Sequence, residues 1–75
     1  MNEFPKRLKE LREEVGLSKR ALAKELNTTE DSIYSWEKGR CEPSFAMLCQ
    51  ICYFFKVSSD YLLGLEDESG GREFR

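Results

Sequence analysis

The chain contains no histidine, and its cysteines number only three, at Cys41, Cys49 and Cys52. Without histidine it lacks the commonest general base and the commonest nitrogen ligand for a metal. Three thiols also fall one short of a four-ligand zinc site. An odd number of cysteines in a chain with no secretion-type start argues against a disulfide framework. No apolar run approaches the roughly 18 residues of a membrane span, and no charged start leads into a signal-peptide core. The opening MNEFPKRLKE reads instead as amphipathic helix, so the expectation is a cytoplasmic protein with no membrane contact. There is no glycine-rich phosphate loop and no carboxylate pair in an evident cleft. Enzyme chemistry has no support, and neither a cofactor nor a small-molecule ligand is expected. Strand alternation and internal repeats are missing too, which points to an all-α chain.

What is present suits one small domain. Hydrophobic residues make up 40% and charged residues 35%, the balance of a soluble globule. Net charge is −2 at a sequence pI near 5.2. A basic balance would be expected of a non-specific nucleic-acid binder. The acidic excess is local, however: Glu66, Asp67, Glu68 and Glu73 outweigh Arg72 and Arg75, and residues 1–64 are neutral overall. Residues 1–65 are therefore expected to form the domain and residues 66–75 a flexible charged tail.

The organising stretch is SKRALAKELNTTEDSIYSWEKGR, from Ser18 to Arg40. Ser18 is a good N-cap, and Leu22, Ala23 and Leu26 follow at helical spacing. Asn27 tolerates the left-handed conformation that stops a helix. Thr28 or Thr29 caps the next helix, whose inward face is Ile33 and Trp36, and Gly39 closes it. Ala23 is small enough to let two short helices cross closely. The pattern is a helix-turn-helix.

The other elements flank this pair. The spacing predicts a first helix from Pro5 to about Glu14, with Leu8, Leu11 and Val15 inward, Phe4 folded back onto it and Gly16 as its stop. Ser44 caps a fourth helix over roughly 45–55, with the stripe Phe45, Leu48, Ile51 or Cys52, and Phe55. Ser58 caps a short fifth helix ended by Gly64. Cys49 and Cys52 form a C-x-x-C in mid-helix, which reads as packing rather than redox or metal chemistry. Tyr53 and Phe54 lie outside the main stripe. They either form an interface, with the dimer contact as the candidate, or Phe54 covers the seam with the last helix.

The combination of RLKELRE, GLS, LAKEL, SIYSWEKG, EPS and FFKVSSDYLLG over positions 4–64 resembles the Cro/phage-repressor (xenobiotic-response-element type) DNA-binding family. The resemblance implies a compact five-helix, lambda-repressor-like domain with the helix-turn-helix formed by helices 2 and 3. It implies a sequence-specific double-stranded DNA-binding transcriptional regulator, a repressor, acting as a homodimer. Helix 3 enters the major groove, and Glu30, Asp31, Tyr34 and Ser35 are placed to reach base edges. Phosphate contacts fall to Ser18, Lys19, Lys38 and Arg40. The resemblance also pairs Arg12 with Glu37 in a structural salt bridge. Two positions depart from the family: Lys19 stands where Gln is common, and Ala21 where Glu would complete a capping box. Glu30 and Asp31 oppose the phosphate field, so they either read bases or only complement the helix dipole. The alternative reading is a protein-interaction module on the same scaffold, an antitoxin-like or anti-repressor partner.

Overall fold

A computed structural model describes residues 2–65 of the chain. The tail expected at residues 66–75 lies outside them. The order is α1 (Phe4–Glu14), α2 (Lys19–Glu25), α3 (Glu30–Glu37), α4 (Phe45–Phe55) and α5 (Ser59–Leu63), with no strand among the described residues.

The helix starts follow from side-chain oxygens. Ser18, Thr29, Ser44 and Ser58 each accept from the backbone N–H three residues on. Each satisfies a donor that has no partner within its helix. Of the two candidate threonines, Thr29 is the cap. The start of α1 differs from expectation, because Phe4 is its first residue and is buried. The carboxamide oxygen of Asn2 takes over capping by accepting from the Phe4 N–H at 2.9 Å.

The helix stops follow from left-handed residues. Asn27 adopts φ 58° after α2, and Gly39 adopts φ 73° after α3. Lys56 turns left-handed after α4 at φ 59°, a role its side chain does not advertise.

Leu8, Leu22, Ile33, Ile51 and Leu62, one from each helix, are fully buried together with Leu26 at the C-cap of α2, so a single core joins all five. Ala23 is buried, on the helix that packs against α3. Two expectations fail. Val15 is not on the inner face but 55% exposed, because α1 ends at Glu14 and Val15 is its C-cap. Phe45 is not part of the α4 inner stripe but 87% exposed. It lies six residues before Ile51, which places it about 120° away around the helix. Ile51 takes the central inward position, and Cys52 is half-buried at its edge.

The chain closes on itself at α1 and α5. The Glu3 N–H donates to the Leu63 carbonyl at 3.3 Å, and Arg7 Nη1 donates to the Tyr61 carbonyl at 2.6 Å. The Arg7 guanidinium also sits 4.5 Å from the Tyr61 ring centroid. Short α5 is thus held by specific polar contacts as well as by Leu62 in the core.

Candidate nucleic-acid interface

The α3 helix is anchored from behind and polar in front. Ile33 and Trp36 are buried, while Glu30, Asp31 and Lys38 are exposed, Tyr34 is 38% exposed and Ser35 half-buried. Residues three to four apart share a helix face, so this division follows from the spacing of the two apolar anchors.

A buried ion pair fixes the helix to the scaffold. Arg12 Nε donates to Glu37 Oε2 at 2.6 Å and Nη2 to Oε1 at 3.1 Å, a two-point geometry that fixes orientation. A third donor, Nη1, reaches the Leu17 carbonyl at 2.8 Å, so one guanidinium ties α1, the entry to α2, and α3 together. The two side chains are 8% and 3% exposed. The hydrogen bond to Glu37 holds the Arg12 pKa above its ordinary value, with burial opposing the shift.

At the far end of α3 the chain doubles back. The Gly39 N–H donates to the Trp36 carbonyl and the Arg40 N–H to the Ser35 carbonyl, the paired bonds of a Schellman stop. That turn returns Arg40 over the helix, where its guanidinium lies 5.4 Å from the Tyr34 ring centroid. Lys38 Nζ lies 5.6 Å from the same ring. The structure therefore brings together Tyr34, Lys38 and Arg40, and the aromatic ring serves as the platform for both cations. Sequence spacing showed Lys38 and Tyr34 on one face. The return of Arg40 was readable only from the stop at Gly39.

Ser18 and Lys19 stand at the start of α2, the helix packed against α3. Ser18 Oγ accepts from the Ala21 N–H at 3.0 Å, which leaves its own hydrogen free to donate. Among the described residues, Lys19, Lys38 and Arg40 pair with no carboxylate, and Glu30 and Asp31 make no hydrogen bond or ion pair. The acids are not needed as caps, since Thr29 serves the Ser32 N–H at 3.1 Å.

Tyr53 is 87% exposed, whereas Phe54 packs on the core with its ring edge-on to Phe55 at 5.0 Å. Adjacent on a helix, the two rings point apart, and the structure does not bring them together as one patch. Among the described residues, no three of Cys, Asp and Glu converge as a metal site would require. No helix among them is long and apolar enough to cross a membrane.

Known proteins are similar to this chain in sequence and in fold. The HTH-type transcriptional regulator ImmR of Bacillus subtilis (strain 168) is 32% identical over 68 residues, covering 91% of this chain and 54% of ImmR. The chain thus spans about half the length of that relative. The crystal structure of the P22 c2 repressor protein in complex with a synthetic operator superposes with a TM-score of 0.76 at 27% identity. The match covers 80% of this chain and 91% of the repressor chain. Residues 6–68 match the helix-turn-helix domain family, and the chain belongs to that family.

Proposed function

We propose that this protein is a sequence-specific double-stranded DNA-binding transcriptional regulator that represses by occupying an operator with α3 in the major groove. The carrying observation is a polar helix face braced from behind by Ile33, Trp36 and the Arg12–Glu37 pair, with cations at its far end that no carboxylate of the described residues neutralises. The kinship with ImmR, a transcriptional regulator, and with an operator-bound repressor supports this reading. Residues 1–65 form the DNA-binding unit, the protein works in the cytoplasm, and its role is occupancy rather than catalysis.

In this reading Glu30, Asp31, Tyr34 and Ser35 meet base edges, and Ser18, Lys19, Lys38 and Arg40 meet phosphates. Carboxylates accept from cytosine N4, and the Tyr34 hydroxyl donates or accepts. Each phosphate neutralised by a cation contributes about 0.9 to the salt dependence, so Lys19, Lys38 and Arg40 give about 2.7 per copy and two copies about 5. A homodimer on a two-fold site is needed to reach the steepness of strong binders.

Selection on random duplex DNA tests the proposal. The wild type enriches a defined site. Lys19→Glu and Arg40→Glu each weaken binding to that site and lower the salt slope by about 1, with melting unchanged. Affinity that survives both changes refutes this surface. The unpartnered carboxylates of Glu30 and Asp31 at the leading end of α3 favour a second reading, an interaction module that binds a protein. In that case the selection enriches nothing.

A further inference from the structure

Packing explains only half of the C-x-x-C on α4. Cys52 is half-buried and packs on the core, whereas Cys49 is exposed and has no place in it. Both thiols are free, and both line one open cavity of about 980 Å³ whose walls include Phe45, Leu48, Val57 and Leu63. They are near enough for Cys49 to add to the rise that burial causes in the Cys52 pKa. Three residues apart on a helix, their Cβ atoms lie about 5–6 Å from each other. A disulfide needs about 3.5–4.5 Å, so the helix holds this pair too wide for a direct S–S bond. A single atom bonded to both sulfurs spans the wider gap. Cys41 adds no third ligand, because no three side chains of Cys, Asp and Glu converge among the described residues.

We infer that Cys49 and Cys52 form a dithiol site for a trivalent arsenical carrying one apolar organic group, with the arsenic bridging the two sulfurs and the organic group lying in the adjacent cavity. Trivalent arsenic makes three bonds. One carbon substituent and two sulfurs complete that set, whereas inorganic arsenic would keep a hydroxyl and call for a third thiol. Zinc, which takes four ligands, is poorly served by two thiols. The exchange balances without an oxidant: two thiols and R–As(OH)2 give the bridged product and two waters. Two S–H and two As–O bonds break, two As–S and two O–H bonds form, and each thiol proton leaves with one arsenic hydroxyl. The arsenic stays trivalent throughout. The cavity has ample room, since about 150 Å³ is enough to hold a benzene ring. Lys56 is the single charged residue along it, so an uncharged aryl group meets a mainly apolar wall. None of these residues belongs to the candidate DNA surface, and the inference stands apart from the proposed function.

The test uses the full chain without DNA, reduced with a phosphine, and phenylarsine oxide, which hydrates in water to the dihydroxy form. Intact-mass measurement shows one phenylarsenic group added per chain with the loss of two hydrogens. Alkylation then reaches Cys41 and spares Cys49 and Cys52. Excess monothiol leaves the adduct in place, and a vicinal dithiol removes it. Cys49→Ser, at an exposed position and without effect on melting, weakens binding about a hundredfold or more, because the chelate loses its second arm. Cys41→Ser changes nothing. The cavity is read separately: the phenyl compound binds the folded chain about tenfold or more tighter than its methyl counterpart, and the chain unfolded in urea loses that preference. An adduct as stable in Cys49→Ser as in the wild type, or one that consumes Cys41, overturns the inference. Equal affinity of the folded chain for the phenyl and methyl compounds overturns the seat assigned to the organic group.

Discussion

Cutting the Arg12–Glu37 pair from one side tests whether α3 is seated by that pair or merely by its apolar face. Glu37→Ala leaves a guanidinium only 8% exposed with one remaining partner, the Leu17 carbonyl. Stranding a buried charge in this way costs about 3–5 kcal/mol. A chain of this length has about 4–11 kcal/mol of total stability. The substitution should therefore remove about a quarter or more of it and lower Tm by about 12–40 °C, at about 4–8 °C per kcal/mol. Fluorescence of Trp36, the sole tryptophan and the buried neighbour of Glu37, reports the transition directly. Replacing both partners with apolar residues, Arg12→Met with Glu37→Leu, removes the stranded charge. That variant should melt near or above the wild type. Folding raises the Arg12 pKa, so its contribution is complete below the ordinary arginine range and is lost only as pH rises through it. From about pH 7 to pH 10 the gap between wild type and Glu37→Ala should accordingly stay constant. A loss below about 1 kcal/mol, the range of exposed pairs, would refute the argument. So would a double variant as unstable as the single one.

Three further outcomes follow from the same structure. Gly64→Ala should lose about 2–3 kcal/mol against about 1 for Gly16→Ala, since both sit at positive φ but only at Gly64 would a Cβ come within 2.5 Å of Glu3; equal melting shifts would contradict this. Ile33→Ala should cost about 2–5 kcal/mol in urea unfolding, because the side chain is fully buried behind α3. Burial, and after it the neighbouring Cys49, pushes the Cys52 thiol pKa up, so below that raised value Cys52 should alkylate more slowly than Cys41 at every pH. The neutral thiol is favoured in the fold, so this contribution to stability fades as pH rises past the ordinary thiol range.

The fold was legible wherever one residue type has one local use. Ser18, Ser44 and Ser58 announce helix starts, and Gly16, Asn27, Gly39 and Gly64 announce stops, because few other residues do those jobs cheaply. Lys56 was not legible, since nothing in a lysine marks it for a left-handed turn. Val15 and Phe45 misled for a shared reason. Each extends an apolar period by one step at a helix end, where the face has already rotated away from the core or the helix has stopped. At the candidate site, spacing separated Ile33 and Trp36 from the outward residues of α3. The pairing of Arg12 with Glu37 came from family resemblance, because no local pattern in either helix specifies a partner 25 residues away. The Tyr34–Arg40 contact required the actual course of the backbone after Gly39.

The meeting of Glu3 with Leu63 has an architectural consequence. Both ends of the described chain leave from one spot, where the first turn of α1 abuts the last residues of α5. Joining them through a short linker and reopening the chain at the exposed Glu42 should therefore preserve every helix. By the same logic, a label or domain joined directly to residue 2 or to residue 65 would radiate from a common point, and exchanging one attachment for the other should leave its reach to the rest of the molecule almost unchanged.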